Sequence, residues 1–333
     1  MRAVLLFVLV LAACTTQPNA AASPTPTPTA SPSRTPTPSP TSSPTPSPSP
    51  ISLPSFAQVS APSTNVVWVL VAATRLFRSS DRGDTWVERS IPPGLVSTEI
   101  AFADDTRGLL LNTGNATTDC QTQTVSLGKT VDGAASWQQV PQTGIADAMC
   151  KQGLTSADPT HAFLAASRPG TNPVIYRTAD GGTSWTASAP LPTPPNIASQ
   201  GPTSITITGR PRAFGSIVLV DGGGGQQTKD VFRSTDGGAT FTYASTVPTF
   251  EGAIAYVTAT RWLQIAPPNS SMETTDGGTS WHAYTTDYSQ AAPVTPVVVF
   301  GDAQVGYATV RGAIQRTTDG GAHWTTIKTP GTV

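Results

Sequence analysis

The sequence predicts an all-β protein built as a six-bladed β-propeller, with seven blades as the alternative count. Three observations predict it. First, an eight-residue phrase, Ser79 to Trp86, returns five more times, with Asp-to-Asp spacings of 51, 48, 56, 40 and 43 residues. Internal repeats of roughly 40 to 50 residues belong to propeller blades. Second, each copy lies between two short stretches in which apolar and polar residues alternate, the pattern of half-buried strands. Third, charged residues make up only 12% of the chain, about half the usual share, so Thr, Ser, Gln and Asn must supply most of the polar surface of many short strands.

The repeated phrase reads Ser/Thr-x-Asp-x-Gly-x-x-Trp/Phe. Its key positions are Asp81, Gly83 and Trp86; Asp132 and Trp137; Asp180, Gly182 and Trp185; Asp236, Gly238 and Phe241; Asp276, Gly278 and Trp281; and Asp319, Gly321 and Trp324. The chemistry is that of a turn between the third and fourth strands of a blade. An Asp carboxylate accepts hydrogen bonds from backbone N–H groups one turn further on. Gly suits a left-handed backbone, and the aromatic residue buries a large apolar area against the blade. Two copies depart from the pattern. Ala134 stands where the special Gly is expected, which predicts a reshaped turn, and Phe241 lacks an indole N–H. Six recurrences of Asp, Thr and Trp could also mark calcium or sugar sites, but the structural reading as a turn device is favoured.

The pattern resembles the Asp box, or BNR repeat. The longer phrase Phe-x-Asp-x-x-x-Gly followed by a strand and the box, seen from Phe300 to Trp324 and more loosely from Phe102 to Trp137, resembles Ycf48-like photosystem II stability/assembly factor proteins. Sortilin-type receptors and sialidases share the same boxes. The resemblance implies a propeller with its boxes on the outer rim, away from a central funnel. More remotely, it implies a role in assembling membrane complexes.

Strands are read in order within each blade. Phe56 to Val59 and Val66 to Val71 open the first blade, and Glu99 to Asp104 with Gly108 to Leu111 open the second. Ser204 to Thr208 with Ser216 to Val220, and Val297 to Asp302 with Gly306 to Val310, open two later ones. No strand is left over to complete the first blade from the far end of the chain, so packing between the first and sixth blades is expected to close the ring.

Ahead of the propeller, expected over 55–333, stand two other segments. Residues 1–14 begin Met1-Arg2, continue through an apolar run of 11 residues and end Leu11-Ala12-Ala13-Cys14. The run is too short to span a bilayer and reads as a signal-peptide core. Its end resembles a bacterial lipobox, which implies lipidation of Cys14. Acyl chains there would anchor the protein stably to a membrane. The competing reading is ordinary secretion with an incidental Cys. Residues 15–54 read as a disordered tether: between Ser23 and Pro50, Pro fills 11 of 28 positions among Ser and Thr. Such a segment has nothing to bury and favours extended polyproline II. Its Ser/Thr content is also compatible with O-glycosylation. Together the segments place the propeller outside the cytoplasm, at the cell surface or in the periplasm.

Besides Cys14 there are two cysteines, Cys120 and Cys150. An even pair in an exported domain favours a disulfide, here between the second blade and the start of the third. His161, His282 and His323 are scattered, so no metal or cofactor site is expected. The formal net charge of −1 gives no electrostatic argument for nucleic acid. No catalytic constellation emerges. A sialidase needs convergent arginines, a Tyr–Glu pair and an acid/base Asp, and no Arg-Ile-Pro motif is present. Arg78, Arg177, Arg233 and Arg316 share one place beside a box and read as structural. Glu251 with Tyr256 is the pair worth testing, and Asp104-Asp105 reads as a turn. Gly222 to Gly225 reads as a flexible hairpin loop. The reading is a binding or assembly scaffold for protein or glycan, anchored to a membrane and not catalytic. The alternative is a sialidase-like glycoside hydrolase.

Overall fold

The computed structural model describes residues 48–333 apart from 54, 96, 199–204, 208, 224–228, 250, 267–269 and 289–295. Residues 1–47, with Cys14 and most of the expected tether, lie outside the described residues, as do Ser204, Thr208, Gly224 and Gly225. The folded unit runs from Ser49 to Val333. Its start therefore precedes the expected boundary at 54/55. Ile51 pairs in parallel with Thr332 near the end of the chain. No helix among the described residues is long and apolar enough to cross a membrane.

Six antiparallel sheets follow one another along the chain, each a meander of four strand positions. The first blade comprises Ala57–Ser60, Val67–Val71, Arg75–Ser79 and Val87–Arg89. The innermost strands of the second, third, fifth and sixth blades are Ser97–Phe102, Cys150–Ser156, Ala253–Tyr256 and Val297–Phe300. Second strands are buried on both faces, as in Val67–Val71, where every residue is buried. Such strands read as continuous Val/Leu runs because blades pack on either side of them.

The fourth blade departs from expectation. Its innermost position is split into Thr206–Ile207 and Arg212–Phe214, both pairing with Ile217–Gly223. Pro211, which cannot donate to a ladder, and Gly209 fall in the break. Gly222 and Gly223, expected in a loop, lie at the end of the second strand and pair with Ile207 and Thr206.

In every blade the repeated phrase forms the turn between third and fourth strands. The hydroxyls of Ser79, Thr130, Thr178, Ser234, Thr274 and Thr317 donate to Oδ1 of the Asp two residues later at 2.6–2.9 Å. The same hydroxyl oxygens accept the N–H four residues on, at 2.7–3.0 Å. Oδ2 of each Asp accepts from the hydroxyl of Thr85, Ser136, Ser184, Thr240 or Ser280 at 2.6 Å, and in the sixth blade pairs with His323 Nδ1 at 2.5 Å. These clamps hold two consecutive residues after each Asp in the left-handed region, for example Arg82 and Gly83 (φ 64° and 92°). Both positions, and not the expected second one alone, take that conformation.

The second copy is not reshaped. Gly133 and Ala134 take φ 69° and 61°, and the clamp of Thr130 and Asp132 is intact. Ala134 is fully buried among Trp68, Leu70, Phe102 and Trp137. Packing of its methyl group offsets a strain of about 1 kcal/mol.

The boxes also join the blades to one another. The N–H of the first left-handed residue donates to the turn between the first and second strands of its own blade. The acceptors are the carbonyls of Asn65, Thr106, Thr160, Ser216, Thr260 and Gln304, at 2.8–3.0 Å. The second left-handed residue faces the preceding blade. A Cβ on Gly182, Gly238, Gly278 or Gly321 would come within 2.5–3.0 Å of Leu109, Phe163, Ser245 or Leu263 respectively. On Gly83 it would meet Ile327 of the sixth blade at 2.8 Å, so the first box takes part in ring closure. Trp137 Nε1 donates to Ser90 O and Trp281 Nε1 to Ser245 Oγ, each in the preceding blade. Phe241 does without such a bond, and Trp86 Nε1 likewise has no partner among the described residues. Burial of the ring is therefore the shared requirement.

Arg316 makes the corresponding link across closure, donating to Arg82 O at 2.9 Å and to Asp84 at 2.7 Å. Arg78 reaches Asp105 of the second blade. These arginines tie neighbouring blades together, in keeping with a structural reading. Closure is completed by a shared core of Val67, Val69, Phe77, Tyr307 and Ile314.

The phrase Phe-x-Asp-x-x-x-Gly gains a physical reason here. Asp104 and Asp302 cap the turn by accepting two backbone N–H groups each. The ring of Phe102 or Phe300 lies flat over Gly108 or Gly306, where a Cβ would sit 2.5 or 2.7 Å from ring carbons.

A disulfide joins Cys120, in the loop between the second and third strands of blade two, to Cys150, the first residue of blade three. Around it, Gln123 N donates to Asp147 O and Lys151 N donates to Gln123 Oε1. The bridge thus staples the two blades on the face opposite the boxes.

Gly278→Ala is expected to destabilise by about 2–4 kcal/mol, because its Cβ meets Ser245 and the backbone is left-handed. Ala134→Gly stays within about 1 kcal/mol of wild type, since lost packing and relieved strain oppose each other. Equal costs in chemical denaturation would contradict this account of the boxes. Reduction of the disulfide, which spans 30 residues, is expected to cost about 3–4 kcal/mol, read as a fall in denaturation midpoint that a Cys120→Ser/Cys150→Ser variant reproduces.

A further outcome concerns pH. Donors lower the carboxyls of Asp81 (Ser79 first, then Thr85), Asp132 and Asp276 (Ser136 and Ser280 first) to about 2. A depressed carboxyl adds stability above its unfolded value, near 3.8, that is lost as pH falls through the folded one. Melting temperature should therefore hold to about pH 4 and drop between about pH 4 and 2. The Asp319 carboxylate raises the His323 imidazole, so its contribution is full at low pH and fades as pH rises past about 6.5. His323→Ser should remove that neutral-range slope.

Candidate functional site

The innermost strands surround a central cavity of 370 Å³. None of the box residues lines it. Much of the wall is apolar, from Val59, Ala61, Ile100, Ala101 and Val298, as edge-on packing of six sheets dictates. Polar side chains in the channel mostly tie blade to blade. Gln58 Oε1 accepts from Ile100 N at 2.7 Å and Ser60 Oγ from Phe102 N at 2.9 Å. Thr155 Oγ1 donates to Pro211 O and Gln152 Nε2 to Ile207 O, both at 2.8 Å.

Five charged side chains line the cavity: Glu99, Arg210, Arg212, Asp221 and Lys229. Glu99 accepts the N–H groups of Gly153 and Leu154 at 3.0 and 2.8 Å and pairs with Arg210 at 3.4 Å. It thereby joins the innermost strands of blades two, three and four. Asp221 is buried and accepts from the Tyr256 hydroxyl at 3.2 Å. Burial, reinforced by Asp221, pushes the Tyr256 phenol well above its usual range, so it remains a protonated donor. Lys229 donates to Gly252 O; burial lowers its ammonium and Asp221 opposes that shift.

Arg212 is different. Its Nη2 donates to Phe300 O at 2.7 Å, across the ring from blade four to blade six. Its guanidinium stands over the Phe214 ring at 5.5 Å. Nε has no hydrogen-bond partner among the described residues, and no carboxylate lies in ion-pair range of it there. Burial alone depresses its pKa.

The pair singled out from sequence is not assembled. Tyr256 bonds Asp221, whereas Glu251 is exposed and only its backbone carbonyl is engaged, by Gln264. Asp104 and Asp105 serve a turn and an interblade link. Arg210, Arg212 and Asp221 were not singled out. The signal that could have found the arginines is Gly209-Arg210-Pro211-Arg212, a strand break that offers two cations from a single bulge. Bulges often re-aim side chains beside sites. Among the described residues no group of three or more His, Cys, Asp or Glu could hold a metal ion.

No family model matches the chain, and no curated protein does. Solved structures do. The chain is similar to YCF48 from Cyanidioschyzon merolae, with 16% identity and a TM-score of 0.52 over 83% of this chain and 86% of that one. It is similar to YCF48 bound to D1 peptide, with 15% identity and a TM-score of 0.50 over 83% and 84%. It is also similar to a protein of unknown function from Dyadobacter fermentans DSM 18053, with 14% identity and a TM-score of 0.51 over 82% and 92%. The likeness is one of fold: this chain is a six-bladed β-propeller, similar in fold to YCF48.

Proposed function

We propose that this protein is a non-catalytic binding scaffold, an Asp-box propeller held outside the cytoplasm by lipid on Cys14 and the Pro-rich tether, and that its ligand is a protein. The observation that carries the reading is the state of the channel carboxylates. Hydrolysis of a glycoside needs one carboxyl poised as acid and a second as base or nucleophile. Here Glu99 is engaged by two backbone N–H groups and Arg210, and Asp221 is buried against Tyr256. Both side chains hold blades together. A propeller of the same fold solved with a D1 peptide supports a protein as the ligand class. A rigid ring with variable loops on one face suits such a task.

The test uses the full-length chain in its native membrane. Crosslinking and affinity capture are expected to return a protein partner. Cys14→Ser is expected to move the propeller to the soluble fraction and to remove the acyl mass from the N-terminal peptide. Capture of no protein, together with glycoside turnover that Glu99→Gln abolishes, would overturn the scaffold reading in favour of a sialidase-like hydrolase.

A further inference from the structure

The cavity has more positive than negative charge. Arg210, Arg212 and Lys229 face two carboxylates, Glu99 and Asp221. Arg210 is paired with Glu99, and Lys229 feels Asp221. Arg212 is the cation left over, held by one carbonyl and one aromatic face. Arg212 is half-buried, and a partly desolvated cation without a counter-ion is costly. A neutral side chain could make the same link to Phe300 O at lower cost, so the tie alone does not account for a guanidinium there.

We propose that the channel cavity is a binding site for a single carboxylate group carried on a short aliphatic or peptidyl chain, with Arg212 as its counter-charge. This rests on the scaffold reading and gives its ligand a chemistry. The charge excess is one, which matches a monovalent anion. A planar guanidinium favours a planar carboxylate. The volume of 370 Å³ lies near the lower end of the roughly 300–1,000 Å³ of small-ligand pockets. Val59, Ala61, Ile100 and Val298 along the wall accept methylene groups. The carboxylate has two possible sources, a free organic acid or an acidic residue of a protein.

The probes are butyrate, acetyl-glutamate N-methylamide and the neutral isostere acetyl-glutamine N-methylamide, titrated into the propeller by calorimetry and by the Arg212 Nε–Hε NMR signal. The glutamate probe is expected to bind at least ~10-fold more tightly than the glutamine probe, because the latter leaves the cation unpaired. Arg212→Gln should remove that preference and Arg212→Lys should restore part of it, while Arg316→Gln, at the rim, leaves it unchanged. If Arg212→Gln does not fold, the comparison of charged and neutral probes on wild type still decides. Equal binding of the two, or no movement of the Arg212 signal, overturns the site.

Butyrate binding as tightly as the peptidyl probe assigns a free acid. Tighter peptidyl binding assigns a protein residue. Should no carboxylate bind while a membrane partner is still captured, the channel site falls and the scaffold stands. Carboxylate binding with no partner captured gives the reverse.

Discussion

The structure depends on a clamp between one hydroxyl and one carboxylate. In each blade a Ser or Thr and the Asp two residues later grip each other and the next turn of backbone. Two consecutive residues are thereby forced into the left-handed region. That conformation turns one N–H toward the neighbouring turn of the same blade and presents to the previous blade a bare Cα or, in the second blade, the small methyl of Ala134. One local device thus sets both the shape of a blade and the spacing between blades. Because Gly83 and Arg316 act across the junction of blades six and one, the same device closes the ring.

Ring closure in turn decides the character of the channel. Six innermost strands converge, and their side chains meet across distances that a single blade cannot span. Most polar groups there are consumed in joining blades, the Glu99 carboxylate among them. The broken strand of blade four is the exception to the sixfold pattern. Gly209 and Pro211 interrupt its ladder, and the break delivers two arginines to the lumen. The departure from regularity coincides with a guanidinium that no carboxylate pairs among the described residues.

Much of this was legible in the chain. Spacing of the six boxes gave the blade count, and alternation beside them gave the third and fourth strands. The two cysteines that remain besides Cys14 gave the bridge. The box with Ala134 was expected to be reshaped, because a left-handed alanine is costly in isolation. Burial against Trp68 and Phe102 of the interblade core changes that balance. The pairing of Glu251 with Tyr256 failed for a related reason. Nearness in sequence says little about which face of a strand or which side of a turn a residue takes. Tyr256 points to Asp221 in the next sheet, and the Glu251 side chain lies at the surface.

What the sequence determined by itself was the set of interactions two to four residues long. The hydroxyl, carboxylate and glycines of each box carry their partners with them, so the turn is encoded wherever the phrase stands. What only the tertiary structure decided was every contact that needs the ring to close. Arg316 meets Arg82 across 234 positions, and Arg212 meets Phe300 across 88. No local pattern contains such pairs. They exist because six twisted sheets, packed side by side, return the last blade to the first and bring their inner edges around one cavity.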